Sequence, residues 1–239
     1  MCGRYTLHKK SESDWVWVKR IERLKPNYRK GYEARYNIAP MQLAPVVAIR
    51  GGEVVADEMR WWLIPHWSKD GKISATTFNA KSETLDTSKL FAPYFKGSRC
   101  LVPADKFYEW RRVMVEKEVK GKKKEVEEKV PMCIGLKDDS PMFFAGLFSV
   151  WKNDKGEEFP SFTIITTEPN EMMVQIHNRM PVILPEKHFD EWLDRENKDI
   201  DSLKKLLKPY PANEMAAYRV SSYVSNSRNE GEECVKEVV

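Results

Sequence analysis

No run of apolar residues in this 239-residue chain reaches the roughly 18 that a membrane-crossing helix requires. No apolar stretch precedes Lys9 and Lys10, so the sequence predicts no secretory signal. Cysteine is scarce. Cys2, Cys100, Cys133 and Cys234 form no C-x-x-C pair, and His8, His66, His177 and His188 stand at no zinc-ligand spacing from them. Neither a structural metal nor a disulfide framework is therefore expected, and no cofactor is implied. The glycine patterns of nucleotide-binding folds, G-x-G-x-x-G and the Walker sequence, are also missing. There is no fixed-period repeat and no low-complexity linker, so a single domain over residues 1–239 is expected. Together these absences lead us to expect a soluble cytoplasmic protein with no membrane partner.

Charge of one sign is lacking too. Forty Lys and Arg against 36 Asp and Glu give +4, which permits a nucleic-acid partner without arguing for one. Residues 111–130 hold eight basic and five acidic side chains, so that segment alone carries +3. Its alternation of charge and valine around Gly121 predicts an exposed, solvated hairpin extension at about 115–130, with a disordered segment and an added DNA-facing surface as the alternatives.

The apolar spacing Trp15, Val18, Ile21, Leu24 predicts an amphipathic helix over 11–24. Residues 46–49 and 54–59 read as a hairpin closed by Gly51-Gly52. Further strands are expected over 100–102, 107–115, 132–136, 142–150, 162–167 and 182–184. Helices or helical turns are expected over 81–95, 169–176, 185–194 and 201–207. Many short strands without regular helix alternation predict an α+β fold, a mainly antiparallel, barrel-like sheet with peripheral helices. Cys100 and Cys133 lie inside apolar runs and are expected to be buried thiols.

Cys2 differs because of its address. Removal of Met1 would leave an N-terminal cysteine, whose α-amine and thiol have reference pKa values of roughly 7.7–8.0 and about 8.5. Such an aminothiol can form an imine with an aldehyde and then close a five-membered thiazolidine, which an internal cysteine cannot do. Three other residues share chemistry-bearing neighbourhoods: Asn79 in Thr77-Phe78-Asn79-Ala80-Lys81, Glu109 in Phe107-Tyr108-Glu109-Trp110, and His177 in Ile176-His177-Asn178-Arg179. Taken singly, each has an ordinary explanation as a helix cap, a solvated strand residue and a satisfied turn residue.

Together with Tyr36-Asn37-Ile38-Ala39-Pro40, Arg60-Trp61-Trp62-Leu63-Ile64-Pro65-His66-Trp67, Thr166-Thr167 and Val224-Ser225-Asn226, these blocks resemble the SOS-response-associated peptidase family. Its members are abasic-site-shielding proteins. The blocks run in order across nearly the whole chain. The resemblance implies covalent capture of abasic sites in single-stranded DNA by Cys2. Asn79 would hold the reacting terminus, Glu109 would assist proton transfer, and His177 would act as general acid/base in opening the sugar. It also implies phosphate contacts by Arg4, Lys81 and Arg179, and base stacking or wedging by Pro40, Trp67 and Trp110. Lys81 replaces the family's frequent Arg, which keeps charge but loses bidentate geometry. Trp62 stands where Gly is common, which implies a narrower groove. Of Trp61 and Trp62, at least one is expected to pack in the core. The expected assembly is a monomer, cytoplasmic and nucleoid-associated when bound to DNA. Two rival functions stay open at this point: a thiol peptidase or autopeptidase built on Cys2, His177 and Glu109, and a non-covalent binder of damaged or modified DNA.

Overall fold

The computed structural model describes residues 2–8, 23–24, 34–72, 76–119 and 122–238. In chain order the strands are β1 (Tyr5–Leu7), β2 (Arg23–Leu24), β3 (Arg35–Ile38), β4 (Leu43–Arg50), β5 (Glu53–Trp61), β6 (Asn79–Lys81) and β7 (Arg99–Ala104). They continue with β8 (Lys106–Val119), β9 (Lys122–Leu136), β10 (Met142–Lys152), β11 (Glu158–Thr167), β12 (Met180–Pro181) and β13 (Met215–Arg219). Three short helices, α1 (Ala92–Phe95), α2 (Phe189–Leu193) and α3 (Ile200–Lys205), lie between them.

The β4–β5 hairpin forms where the glycine pair predicted it. Arg50 faces Glu53, and Gly51 and Gly52 have φ of 64° and 85°. Both values lie in the left-handed region that a two-residue hairpin turn needs. Antiparallel neighbours run β11–β10–β7–β4–β5, and a parallel pairing of β5 with β11 (Arg60 to Ser161, Trp61 to Phe162) joins the ends. That last pairing closes the path into a ring. At Gly146 in β10 a Cβ would sit 2.9 Å from both Cys100 Sγ and the Thr163 carbonyl oxygen, so the strands flanking it approach closely only because the residue is glycine. A second sheet, β13–β9–β8–β1–β3, packs against the ring. The result is a single α+β domain with a mainly antiparallel, barrel-like core.

One cluster of the core holds Cys2, Tyr5, Trp61, Phe107, Phe144 and Phe162. Here the Trp61 ring meets Tyr5 edge-on at 5.2 Å and stacks on Phe162 at 6.3 Å. Trp61 is fully buried, whereas Trp62 is half-buried and tilts against Phe78. A second cluster, with Leu101, Phe143, Phe189 and Trp192, packs the helices onto the ring. Arg99, itself buried, ties them down: its guanidinium donates to the carbonyls of Trp192 (2.6 Å), Phe95 (2.7 Å), Asn197 (3.2 Å) and Asp194.

The charged segment after Glu109 belongs to β8 and β9, which pair in unbroken register from Phe107–Ile134 to Val119–Lys122. Several expected helices shrink. Over 81–95 the chain makes a 3₁₀ turn (Ser82–Thr84) and α1 only. The Ser88 hydroxyl accepts the Phe91 amide, and the Thr87 hydroxyl donates to the Thr84 carbonyl, so side chains compete with a continuous helical ladder. Over 169–176 there is one 3₁₀ turn, Met173–Gln175, and the Asn170 side chain accepts the Met173 amide. The helix expected over 185–194 is a 3₁₀ turn (Glu186–His188) followed by α2. The strand expected over 182–184 is reduced to an isolated bridge of Ile183 with Phe144 beside β10, just past β12. The helix expected over 11–24 lies outside the described residues except at Arg23–Leu24, which form β2 alongside β5.

Candidate active site

Antiparallel pairing of β1 with β8 sets Tyr5 opposite Phe107, and the Tyr108 amide donates to the Arg4 carbonyl at 3.0 Å. Residues just before Tyr5 are thereby laid along the residues just after Phe107. Alternate strand side chains share a face, so Glu109 follows Phe107 towards the cluster that contains Cys2. Both are buried: Cys2 is fully covered and Glu109 is 3% exposed.

Burial has a direct electrostatic consequence, because a charge loses its hydration there. It pushes the Glu109 carboxyl up to about 7. It also pushes the Cys2 thiol well above the usual thiol range, and the neighbouring negative charge of Glu109 pushes it further. His177 follows the Met173–Gln175 turn, its amide donating to the Met173 carbonyl at 2.8 Å. Its Nε2 stands 3.9 Å from Glu109 Oε2. On the other side of the ring the Arg179 amide donates to Nδ1 at 3.1 Å, closer than the 3.3 Å contact of Nδ1 with the Arg179 carbonyl. An amide can only donate, so Nδ1 is the acceptor and the neutral ring carries its proton on Nε2, the nitrogen facing Glu109. Half-burial lowers the His177 pKa, which keeps the ring neutral at pH 7.

Asn79 is a strand residue of β6, paired with Ile164 of β11, and not a helix cap. Its side-chain amide donates to the carbonyls of Phe78 (3.0 Å) and Ile164 (3.3 Å), while its buried Oδ1 accepts no hydrogen bond among the described residues. Phe78 packs against the cluster that holds Cys2. Cys2, Glu109 and His177 are thus brought together directly, and Asn79 reaches the same core through its neighbour.

An open depression of about 510 Å³ gives access to this group. It is lined by Glu109, Trp110, Arg112, Lys129, His177 and Ser225. Cys2 is not in its lining. One wall is the segment around Ser225, fixed by three side chains. The Trp110 indole donates to Ser225 Oγ (3.0 Å), Arg4 donates to the carbonyls of Val224 (2.7 Å) and Ser225 (3.2 Å), and Asn37 donates to the carbonyls of Val224, Asn226 and Asn229. Arg4 also accompanies the face of Trp110 at 5.8 Å.

The residues expected to face DNA divide into two groups. Trp67, 58% exposed, and Lys81 point to solvent, and Pro40 is half-exposed beside the exposed Met41. Arg4 and Arg179 are engaged internally. Arg179 forms a two-point pair with Glu83 and donates to the Thr166 carbonyl at 2.6 Å, which holds the Glu83 carboxyl below its ordinary pKa. Arg112 and Lys129 were not singled out from sequence. Counting alternate residues outward from Trp110 and matching them across the hairpin register is the signal that finds them.

With this geometry in place, the chain belongs to the SOS response associated peptidase (SRAP) family, whose model matches residues 1–227. Among its relatives is the abasic site processing protein YoqW of Bacillus subtilis, 39% identical over 99% of both chains. The abasic site processing protein HMCES of Xenopus tropicalis is 33% identical over 90% of this chain and 70% of its own. The fold is also that of a crystal structure of a protein from Bacteroides thetaiotaomicron, with TM-score 0.82, 24% identity and full coverage of both chains.

Proposed function

We propose that this chain captures abasic sites in single-stranded DNA through Cys2 and shields them as a covalent adduct, as part of the response to DNA damage. The observation that carries the proposal is the buried Cys2–Glu109 pair with His177 Nε2 at 3.9 Å from the carboxylate. The names of the relatives, abasic site processing proteins, support the substrate class.

The chemistry follows from the proton positions. Once Met1 is removed, the Cys2 amine adds to the aldehyde of the opened deoxyribose, and loss of water gives an imine. A carboxyl with pKa about 7 is half-ionised at neutrality, so Glu109 both accepts a proton from the ammonium and returns one to the departing hydroxyl. His177, neutral with Nε2–H directed at Glu109, moves a proton to and from the sugar's ring oxygen. The thiol stays protonated because burial and Glu109 disfavour the thiolate. As sulfur bonds to the imine carbon, the thiol proton passes to nitrogen and the thiazolidine closes. The unpaired Asn79 Oδ1 accepts an N–H from the reacting terminus. On the outer surface Trp67, Trp110 and Pro40 stack on or wedge bases and Lys81 meets a phosphate, a mode that reads the lesion and not the sequence. Arg4 and Arg179, held by protein partners in the free chain, reach phosphates only by exchanging those partners when DNA binds.

A denaturing gel tests this reading. Boiled wild-type protein should remain attached to single-stranded DNA bearing one abasic site, and not to intact DNA. Cys2→Ala should leave only an imine that borohydride traps. A heat-stable adduct from Cys2→Ala without reductant would overturn the thiazolidine assignment. Cleavage of peptides without DNA, and no adduct, would favour a thiol peptidase on the same three residues.

A further inference from the structure

We propose that Arg112 and Lys129 together bind one phosphate of the DNA strand at the mouth of the Cys2–Glu109–His177 site. The proposal rests on the capture of single-stranded DNA argued above and adds a phosphate subsite on the β8–β9 hairpin.

The two residues are direct cross-strand partners in the hairpin register, on the face that also carries Trp110. Both line the depression with Glu109 and His177. Arg112 is close enough for its charge to help lower the His177 pKa, after burial. Like charges directly opposite on a sheet destabilise it; Glu116–Glu125 and Lys117–Lys124 do so further out, but the Arg112–Lys129 pair is the one that lines the depression. An anion between them reverses the sign of that interaction.

Their existing partners leave the charge available. Lys129 makes no ion pair among the described residues. Among the described residues Arg112 meets only Glu127, through a single terminal nitrogen at 3.2 and 3.3 Å, with both side chains largely in solvent. Such exposed pairs contribute little and exchange readily. Arg4 and Arg179, by contrast, are committed to protein carbonyls and to Glu83. The least neutralised positive charge in the lining of the depression is therefore on the hairpin. The next pair outward on this face, Met114 opposite Glu127, ends the basic patch, so it has room for a single phosphate.

The test is the salt dependence of non-covalent binding to intact single-stranded DNA, which isolates recognition from chemistry. Each neutralised phosphate adds roughly 0.7 to the slope of log affinity against log salt. Arg112→Ala, Lys129→Ala and the double variant should each weaken binding. The double variant should lose about 0.7 of slope, not twice that, because the two share a phosphate. Lys117→Ala, on the opposite face of the same hairpin and paired with Glu128, should match wild type. Lys129→Arg should keep the wild-type slope. Both proposed positions are exposed, so the variants should melt as wild type does. If the wild type captures abasic DNA but the double variant keeps the full slope, the phosphate subsite falls and the capture reading stands. If the wild type neither binds nor captures single-stranded DNA, both fall.

Discussion

At the residue scale, the proposed role of Glu109 ties the site to pH. Its carboxyl has a folded pKa of about 7 because burial strips its hydration, against about 4.3 in an unfolded chain. The folded state therefore binds the extra proton between those values. Stability conferred by the protonated form is fully present below about pH 4.3 and is lost as pH rises through about 7. The difference is about 4 kcal/mol at about 1.4 kcal/mol per pKa unit. Wild type should thus lose stability relative to Glu109→Gln across pH 4.5–7.5, measured by urea unfolding at each pH. If the two unfolding curves keep a constant separation over that range, the raised pKa is wrong. In the proposed mechanism the same group also makes capture pH-dependent. The initial rate should rise towards neutrality as the carboxylate base forms, and Glu109→Gln should be slowed by about 10²-fold or more, with the ascending limb removed.

At the element scale, the β4–β5 hairpin and the Arg99 anchor make separate predictions. Gly52 has φ of 85° with nothing within 4 Å of a built Cβ, so Gly52→Ala meets only the conformational penalty. That penalty is about 1–2 kcal/mol. It should appear in the unfolding midpoint, with capture unchanged, because the turn takes no part in the site. Arg99 acts differently. Arg99→Met removes the donors to four carbonyls, and the contacts to Trp192 and Phe95 are fully buried. At about 1–3 kcal/mol for each buried carbonyl left unpaired, the loss should be roughly 2–6 kcal/mol. Equal stability of Arg99→Met and wild type would show that the helices hold to the ring through their apolar cluster alone.

At the scale of the whole molecule, chemistry and recognition lie on different parts of the chain and should come apart. An N-terminal extension that cannot be removed turns the Cys2 nitrogen into an amide, whose lone pair is delocalised into a carbonyl. Stable adduct formation should disappear, and reversible binding to single-stranded DNA should remain, since none of the proposed stacking and phosphate contacts uses the α-amine. Across a series of preparations, capture should track the fraction of molecules that begin at Cys2, measured by intact mass. Blocked protein that crosslinks as fast and as stably as free protein would require an internal nucleophile.

Local patterns determined much of this molecule from sequence alone. The Gly51-Gly52 turn, the strands over 100–102, 142–150 and 162–167, and the burial of Cys100 and Cys133 all follow from interactions between near neighbours in the chain. The family blocks made the candidate site residues legible, since Cys2, Asn79, Glu109 and His177 each sit in a recognisable motif. Helix lengths were less legible, because Ser88, Thr87 and Asn170 bond to nearby backbone and stop turns that apolar spacing alone would extend. Tertiary structure alone decided the rest. The parallel β5–β11 pairing that closes the ring joins segments about a hundred residues apart, and no local pattern encodes it. Glu109 looks like any solvated strand carboxylate until β1 lies down on β8 and excludes water from it, so its pKa is a property of the fold. The meeting of Arg112 with Lys129 is likewise a matter of register: one residue of slip would send Lys129 to the opposite face of the hairpin.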